Sequence, residues 1–509
     1  MDVEGVPIEA PFAASFPLPF RVLVLAGTGI LCWATNLHGL HILGIDAAAA
    51  LDIRPFDANP HAPLRLTSSG PPDVLALARA VYRLCIAYAF VVFTGWALFR
   101  LATHGDLALV DLFKWMPAVT MLVVVMLAVS PFEILEKRVR DMFLIAVKRC
   151  LFSPSSVPVY FCDVVLADIF TSFAKVIGDV WLSFCMFMPG GSLLIFPEQY
   201  GWTRLMVPCL LSVPYAVRFR QCIIDYMQPT TTDKKQLYNA LKYASSFPVI
   251  FLSAAQRDIA SDLATEAEIE EHPLFRLWLL SVVVNSLYSF WWDVTNDWGL
   301  ELLKTGQNIP RIPPKPLLLP TLQARRSSLD SNSPIIHARH PSLPNGSTNT
   351  STSSPYTPQP SYSRRPHSYP WGLRPTLLFP LPAYPLAVFA NLVLRLTWSF
   401  KLSAHLHAQV SGALLFFWLE LAELLRRWVW VFFRVEWELV KREWEWERER
   451  GEYVLLQDRR EGEEGDVEYS FNGDDGVGVG SGMEMGEVVN GRYDDARINT
   501  KIGSQDALP

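Results

Sequence analysis

Apolar residues in this chain are gathered into long runs. Those at 18–36, 78–101, 112–131, 159–188, 203–221, 238–255, 274–297, 381–402 and 411–433 each approach the roughly 20 residues that a helix needs to cross about 30 Å of hydrocarbon. A tenth run, shorter and amphipathic, lies at 138–152. The pattern predicts an all-α, polytopic helical membrane protein with about ten transmembrane segments.

Two polar stretches interrupt it. Residues 303–380 are rich in Ser, Pro and Thr and carry RRSS, HARH and SRRPH, which predicts a disordered basic loop on the cytosolic side. From 441 the chain turns charged and then Gly- and acid-rich, which predicts a disordered tail over 441–509. The expected organisation is therefore a short cytosolic leader (1–17), N-terminal transmembrane segments (18–152), a further membrane region in two parts (153–302 and 381–440), and the loop and tail. The leader carries acids and no Lys or Arg, so the first apolar run reads as a retained signal anchor. With a cytosolic N-terminus and ten crossings, loop and tail fall in the cytosol and the acidic stretch 256–273 in the lumen. EKRVRD, residues 136–141, breaks that rule by falling in the lumen, which admits a re-entrant or interfacial 138–152 segment. The sequons at Asn345 and Asn349 fall in the cytosolic loop and are expected to stay unglycosylated.

Composition agrees with a membrane chain: 50% of the 509 residues are hydrophobic and mean hydropathy is +0.20. The net charge of −6 comes mainly from the tail. Seven cysteines fall in or beside apolar runs without a CxxC pair, so they read as small buried thiols rather than a metal or redox site. No Walker loop, GxGxxG, HExxH or nucleophile elbow occurs, and nothing points to nucleic acid, a metal or a cofactor. An enzyme is not expected.

The apolar runs nevertheless contain charges. They are Asp168, Arg218, Lys242 beside Tyr243, Asp293 and Asp297, Arg395, and Glu423 with Arg426 and Arg427. A lone charge at membrane depth costs several kcal/mol, so such residues are usually paired or functional. Residues three or four apart lie over one another on a helix, so Glu423 can reach Arg426 and Arg427, Asp293 and Asp297 share a face, and Trp398 can stack on Arg395. Taken singly, each is as well explained by snorkelling or a static ion pair. Taken as a set, five cations with too few acids for one-to-one pairing predict a cavity that holds an anion, for which the planar guanidinium fork is suited. Trp291, Trp292 and the run WVWVFF read as interfacial packing, and KREWEWERER as a solvated helical extension.

The ordered set RFRQC, LKYASSF, WDVTNDWGL, LRLTW and ELLRRWVWVFFRVEWE resembles the EXS domain shared by eukaryotic phosphate exporters and the fungal ER-retention-defective proteins of the Golgi. ILCWATNLHGL resembles the first transmembrane helix of that family. The resemblance implies a phosphate path lined by Arg218, Lys242, Tyr243, Arg395, Trp398, Arg426 and Arg427, with Asp168, Asp293, Asp297 and Glu423 as acidic partners. Thr171 and Ala174 stand where exporters tend to carry Asn and Ser. The short leader in place of an SPX domain resembles the Golgi branch. That branch implies return of phosphate from the lumen, support of glycosyltransferase recycling, and retention of luminal ER proteins. The partners so implied are inorganic phosphate, the lipid bilayer, cytosolic sorting adaptors and glycosyltransferases, and the reading admits a homodimer. The competing expectation is a membrane sorting scaffold that transports nothing.

Overall fold

The computed structural model describes residues 10–51, 74–153, 159–195, 197, 201–228, 234–260, 273–300, 373–374, 377–396 and 412–470. Among them there is no strand. The helices are α1 (Ala10–Ser15), α2 (Leu18–Ile42), α3 (Ala47–Ala50), α4 (Val74–Thr103), α5 (Leu107–Leu112), α6 (Trp115–Val129), α7 (Lys137–Phe152), α8 (Phe161–Ser172), α9 (Ala174–Phe187), α10 (Thr203–Met227), α11 (Lys235–Ala244), α12 (Ser246–Ala260), α13 (Pro273–Trp292), α14 (Ala383–Arg395) and α15 (Gly412–Ser470). Residues up to Glu443 form one compact unit, and those from Trp444 a second.

Three described helical spans are long and apolar enough to cross a membrane: Leu18–Ile42, Val74–Thr103 and Pro273–Asp297. This falls short of ten uniform segments, and the hydroxyl residues explain part of the difference. The run 159–188 is two helices that meet at Phe173, and 238–255 is two that meet at Ser245. Near the first break Thr171 Oγ1 donates to the Asp168 carbonyl at 2.7 Å, and at the second Ser245 Oγ donates to the Lys242 carbonyl at 2.7 Å. A side chain that bonds nearby backbone offers the chain an alternative to the helical ladder. At the end of α13 the ladder widens into a π-helical turn, Asp293–Asp297, and Thr295 Oγ1 donates to the Trp291 carbonyl at 2.7 Å. Such turns often mark functional positions.

The core is aromatic where α15 passes the other helices. Trp298, Phe379 and Tyr384 each lie with ring centroids 5.1–5.4 Å from Phe433. Gly299 is required there. Its φ is +62°, and a Cβ would stand 2.4 Å from the Trp437 ring. The outer faces of α4 and α6 expose Ile86, Phe90, Leu101, Leu122, Val125 and Met126, which suits hydrocarbon rather than water.

Of the three basic residues in the out-of-place segment, one is enclosed by the protein, while Arg138 is exposed. Arg140 of EKRVRD is buried and donates to the carbonyls of Leu127, Ala128, Ser130, Phe132, Ile134 and Leu135 at 2.6–3.3 Å. It caps the unpaired carbonyl end of α6 and is no free topological charge.

Two predicted boundaries move. Most of the predicted disordered loop 303–380 lies outside the described residues, but its last part packs: Leu373 and Arg374 are buried, and Leu377, Leu378 and Phe379 lie against the core. The predicted disordered tail begins as helix, because α15 runs on to Ser470, while residues 471–509 lie outside the described residues. Where the apolar stretch ends, Glu438 pairs with Arg434 and Arg442, each four residues away, which favours continued helix locally.

Candidate functional site

Helices α8, α10, α11, α14 and α15 and the π-helical turn bring together every predicted charge. Only Trp398 lies outside the described residues. Each side chain gets there by a local feature. The breaks after α8 and α11 present Asp168 and Lys242 close to helix ends, the π-helical turn carries Asp293 and Asp297, and Arg395 is the last residue of α14.

The network has three parts. In the first, Arg218 Nε donates to Asp168 Oδ1 at 2.9 Å, and the Tyr243 hydroxyl donates to the same oxygen at 2.5 Å. Arg218 Nη1 donates to Gln221 Oε1 at 2.6 Å, and its guanidinium stands 4.9 Å from the Tyr243 ring centroid. All of these groups are buried.

Asp293, with 0% exposure, is the hub of the second part. Arg395 reaches its Oδ2 with Nη2 at 2.5 Å and Nε at 3.1 Å, and Arg426 Nη1 stands 3.5 Å from that oxygen. Lys242 Nζ lies 3.7 Å from Asp293 Oδ1 and 3.4 Å from Asp297 Oδ2, so one ammonium spans both acids. Arg426 itself forms a two-pronged pair with Glu423, at 2.8 and 2.5 Å. Bidentate pairing of this kind is the strongest that a guanidinium makes.

The third part is Arg427. Its Nε donates to Ser172 Oγ at 3.1 Å and its Nη2 to Thr171 Oγ1 at 3.0 Å, and its guanidinium lies 4.5 Å from the Trp430 ring centroid. Ser172 donates in turn to Glu423 at 2.9 Å. Among the described residues no carboxylate lies within ion-pair distance of Arg427, and its Nη1 is buried without a hydrogen-bond partner. The adjacent arginines are therefore not equivalent. Arg426 is bound by acids and Arg427 by hydroxyls.

Five cations thus face four carboxylates, and each carboxylate has its own cation: Asp168 with Arg218, Asp293 with Arg395, Asp297 with Lys242, Glu423 with Arg426. One positive charge, on Arg427, is left over. The pairing is more complete than the sequence suggests, and Glu423 reaches Arg427 only through Ser172.

Several members escaped the sequence reading. Asn391 donates to Asp293 at 3.4 Å and accepts from Arg426 at 3.2 Å, and its place one turn before Arg395 was a usable signal. A separate buried cluster joins Arg374, Glu436 and Tyr384. Arg374 Nη2 stands 2.5 Å from Glu436 Oε2, and the Tyr384 hydroxyl donates to Glu436 Oε1. It fastens the end of the polar loop to α15.

Among the described residues, these features define a helical protein with membrane-type apolar helices and a buried, mostly neutralised network in which Arg427 has no ion-pair partner. The chain belongs to the EXS family, whose profile it matches over residues 16–440. It is 26% identical over 440 residues to Protein ERD1 homolog 1 of Schizosaccharomyces pombe, covering 84% of this chain and 91% of that one. It is 32% identical over 159 residues to Protein ERD1 of Saccharomyces cerevisiae, covering 31% of this chain and 38% of the other. With Solute carrier family 53 member 1 of Mus pahari it shares 27% identity over 167 residues, 29% of this chain and 22% of that protein.

Proposed function

We propose that this protein is a multi-pass Golgi membrane transporter or channel, cycling with the ER, that returns inorganic phosphate from lumen to cytosol. It acts on an ion and is not an enzyme. Arg427 carries this reading: a guanidinium buried beside a complete set of ion pairs, steered by two hydroxyls, with a free donor edge. A guanidinium in that state is matched to a tetrahedral oxyanion. The family membership, the ERD1 names of two relatives and the solute-carrier name of a third point the same way. Arg218, Lys242, Tyr243, Arg395, Trp398 and Arg426 would line the remainder of the path, with Asp168, Asp293, Asp297 and Glu423 returning to them once the anion has passed. Phosphate recovery would support glycosyltransferase recycling and retention of luminal ER proteins, and sorting adaptors would read the loop over 303–380. The test is uptake of labelled phosphate by proteoliposomes containing the purified chain. No uptake above protein-free vesicles, with the protein folded and inserted, refutes the reading.

The four one-to-one ion pairs favour a second reading, a sorting scaffold with static charges. It requires that the purified chain carry no phosphate flux while sorting in cells still depends on its presence.

A further inference from the structure

Beside the charge network, and sharing Arg427 with it, α2, α4, α6, α7, α8 and α15 surround a cavity of about 690 Å³, within the roughly 300–1,000 Å³ typical of ligand pockets. Its wall is mainly apolar, with Ile30, Leu84, Val91, Ile145, Leu166 and Phe170 among the lining side chains.

The arginines and the amide in that wall fall into two kinds. Arg140 is consumed by the carbonyls that end α6, and Arg149 is paired with Asp163 through two bonds of 2.6 and 2.7 Å. Arg140 has no donor left for a ligand, and Arg149 is already neutralised by Asp163 and keeps only Nη1. Arg427 and Asn36 differ: they are 7% and 2% exposed, both line the cavity, and Arg427 Nη1 and Asn36 Oδ1 are buried without a hydrogen-bond partner. Burying such groups unsatisfied is costly. Arg427 offers a donor that favours an anion, and Asn36 an acceptor that requires an O–H or N–H.

The cavity also adjoins an exposed, largely apolar face of α4 that carries Arg83 beside it. Ala87, Val91 and Leu135 line both the cavity and a shallow groove that includes Ile86 and Phe90, and these last two are exposed on α4. Because α4 is one of the helices long and apolar enough to cross a membrane, an aliphatic chain would enter sideways from the bilayer.

We propose that this cavity binds a single-chain membrane lipid with a phosphate head and a neighbouring hydroxyl, of the lysophosphatidate type. Its chain lies between α2, α4 and α7. Its phosphate oxygen accepts from Arg427 Nη1, and its hydroxyl donates to Asn36 Oδ1. An ionised fatty carboxylate satisfies the first group and leaves the second unmet, because it has no donor. An apolar sterol-like occupant leaves the buried cation uncompensated.

The experiment is photolabelling of the purified full-length chain with a diazirine-bearing lysophosphatidate, compared with a monoacylglycerol of the same chain. Mass spectrometry then locates the adducts. The phosphate head should label cavity residues roughly tenfold or more over the uncharged one, the discrimination that one charge-assisted hydrogen bond supplies. Filling the cavity by Ala146→Phe, or independently by Ile145→Trp, should remove this labelling. Arg427→Gln should erase the preference between heads and leave the monoacylglycerol signal in place. Equal labelling by the two heads in the unaltered protein overturns the proposal without recourse to any variant, and so does labelling that persists in a folded filled-cavity variant. Excess inorganic phosphate distinguishes the sources of the anion. Displacement of the lipid by phosphate at Arg427 supports a shared oxyanion position, and stronger lipid labelling in its presence counts against one. Labelling requires no transport, so this result stands apart from the phosphate-flux reading.

Discussion

Replacing the two adjacent arginines one at a time separates folding from transport, because the structure gives them different partners. Arg426→Ala removes the cation from a two-pronged pair with Glu423 and from the surroundings of fully buried Asp293. Breaking a buried pair from one side costs about 3–5 kcal/mol. Half-exposed Glu423 can take up water, which places the cost near the lower end, at roughly 3 kcal/mol. Arg427→Ala leaves no carboxylate behind. Thr171 keeps its bond to the Asp168 carbonyl and Ser172 its bond to Glu423, so no hydroxyl is orphaned. Two hydrogen bonds at about 0.5–1.5 kcal/mol each are lost, offset in part by removal of an unsatisfied buried donor. The net destabilisation should be about 1 kcal/mol.

Thermal unfolding in detergent, read by intrinsic tryptophan fluorescence, should therefore place Arg427→Ala near the unaltered protein and Arg426→Ala several degrees lower. For transport the order reverses in diagnostic value. If Arg427 meets the travelling anion, its loss costs about 1.5–3 kcal/mol of charged hydrogen bonding. That is a roughly ten- to hundredfold rise in the phosphate concentration giving half-maximal flux. Unchanged flux in the well-folded Arg427→Ala protein would refute the anion assignment, and equal destabilisation by both variants would refute the pairing scheme on which it rests.

Further outcomes follow from other parts of the molecule. Glu423→Gln should lose most of a preference for phosphate over sulfate. Phosphate keeps a proton to donate to a carboxylate and sulfate does not, a difference on the order of 1–3 kcal/mol, and competition by sulfate in a vesicle assay reads it directly. Asp168→Asn should change that preference less, because Asp168 Oδ1 already accepts from Arg218 and Tyr243. Gly299→Ala should lower the unfolding temperature through a left-handed backbone cost of roughly 1–2 kcal/mol and a clash with Trp437, measurable by the same fluorescence melt. Deleting 325–365 should leave vesicle flux intact, since so Ser/Pro-rich a composition predicts no packed surface, whereas removing Leu373 and Arg374 as well should destabilise the protein.

The membership of the network was legible in the sequence and its wiring was not. Asp168, Arg218, Lys242, Asp293, Arg395 and Arg426 stand out because each interrupts an apolar run. Their partners lie 50 to 102 positions away in several cases, as for Arg218 with Asp168 and Arg395 with Asp293, and no local period encodes such a distance. The doubled arginine misled most, since neighbours in sequence point to different sides of a helix. Glu436 was overlooked although it continues the buried stripe of Trp430 and Phe433 at intervals of three, where an acid calls for a partner. That partner, Arg374, was hidden by the Pro- and Ser-rich composition around it. EKRVRD sits against the positive-inside count, and part of its charge is not a solvated one, because Arg140 is enclosed by carbonyls.

The pairing also bears on how an anion would pass. A site made only of free cations would hold phosphate too firmly to release it, and a site of closed ion pairs would not admit it. Here Arg218, Lys242, Arg395 and Arg426 are each satisfied by a carboxylate, so phosphate binding at any of them must displace an acid and recovers only the difference between two charged contacts. Arg427 alone needs no displacement, which makes it the natural point of first contact on the proposed path. From it Ser172 leads to Glu423, Glu423 to Arg426, Arg426 to Asp293, and Asp293 to Arg395 and Lys242. An anion moving along that series would exchange places with one carboxylate at a time, and each acid would recapture its cation behind it. Weak binding at every step then comes from competition within the protein rather than from distance to the ion. The same competition makes Asp293, which touches three cations, the residue whose neutralisation should slow release most.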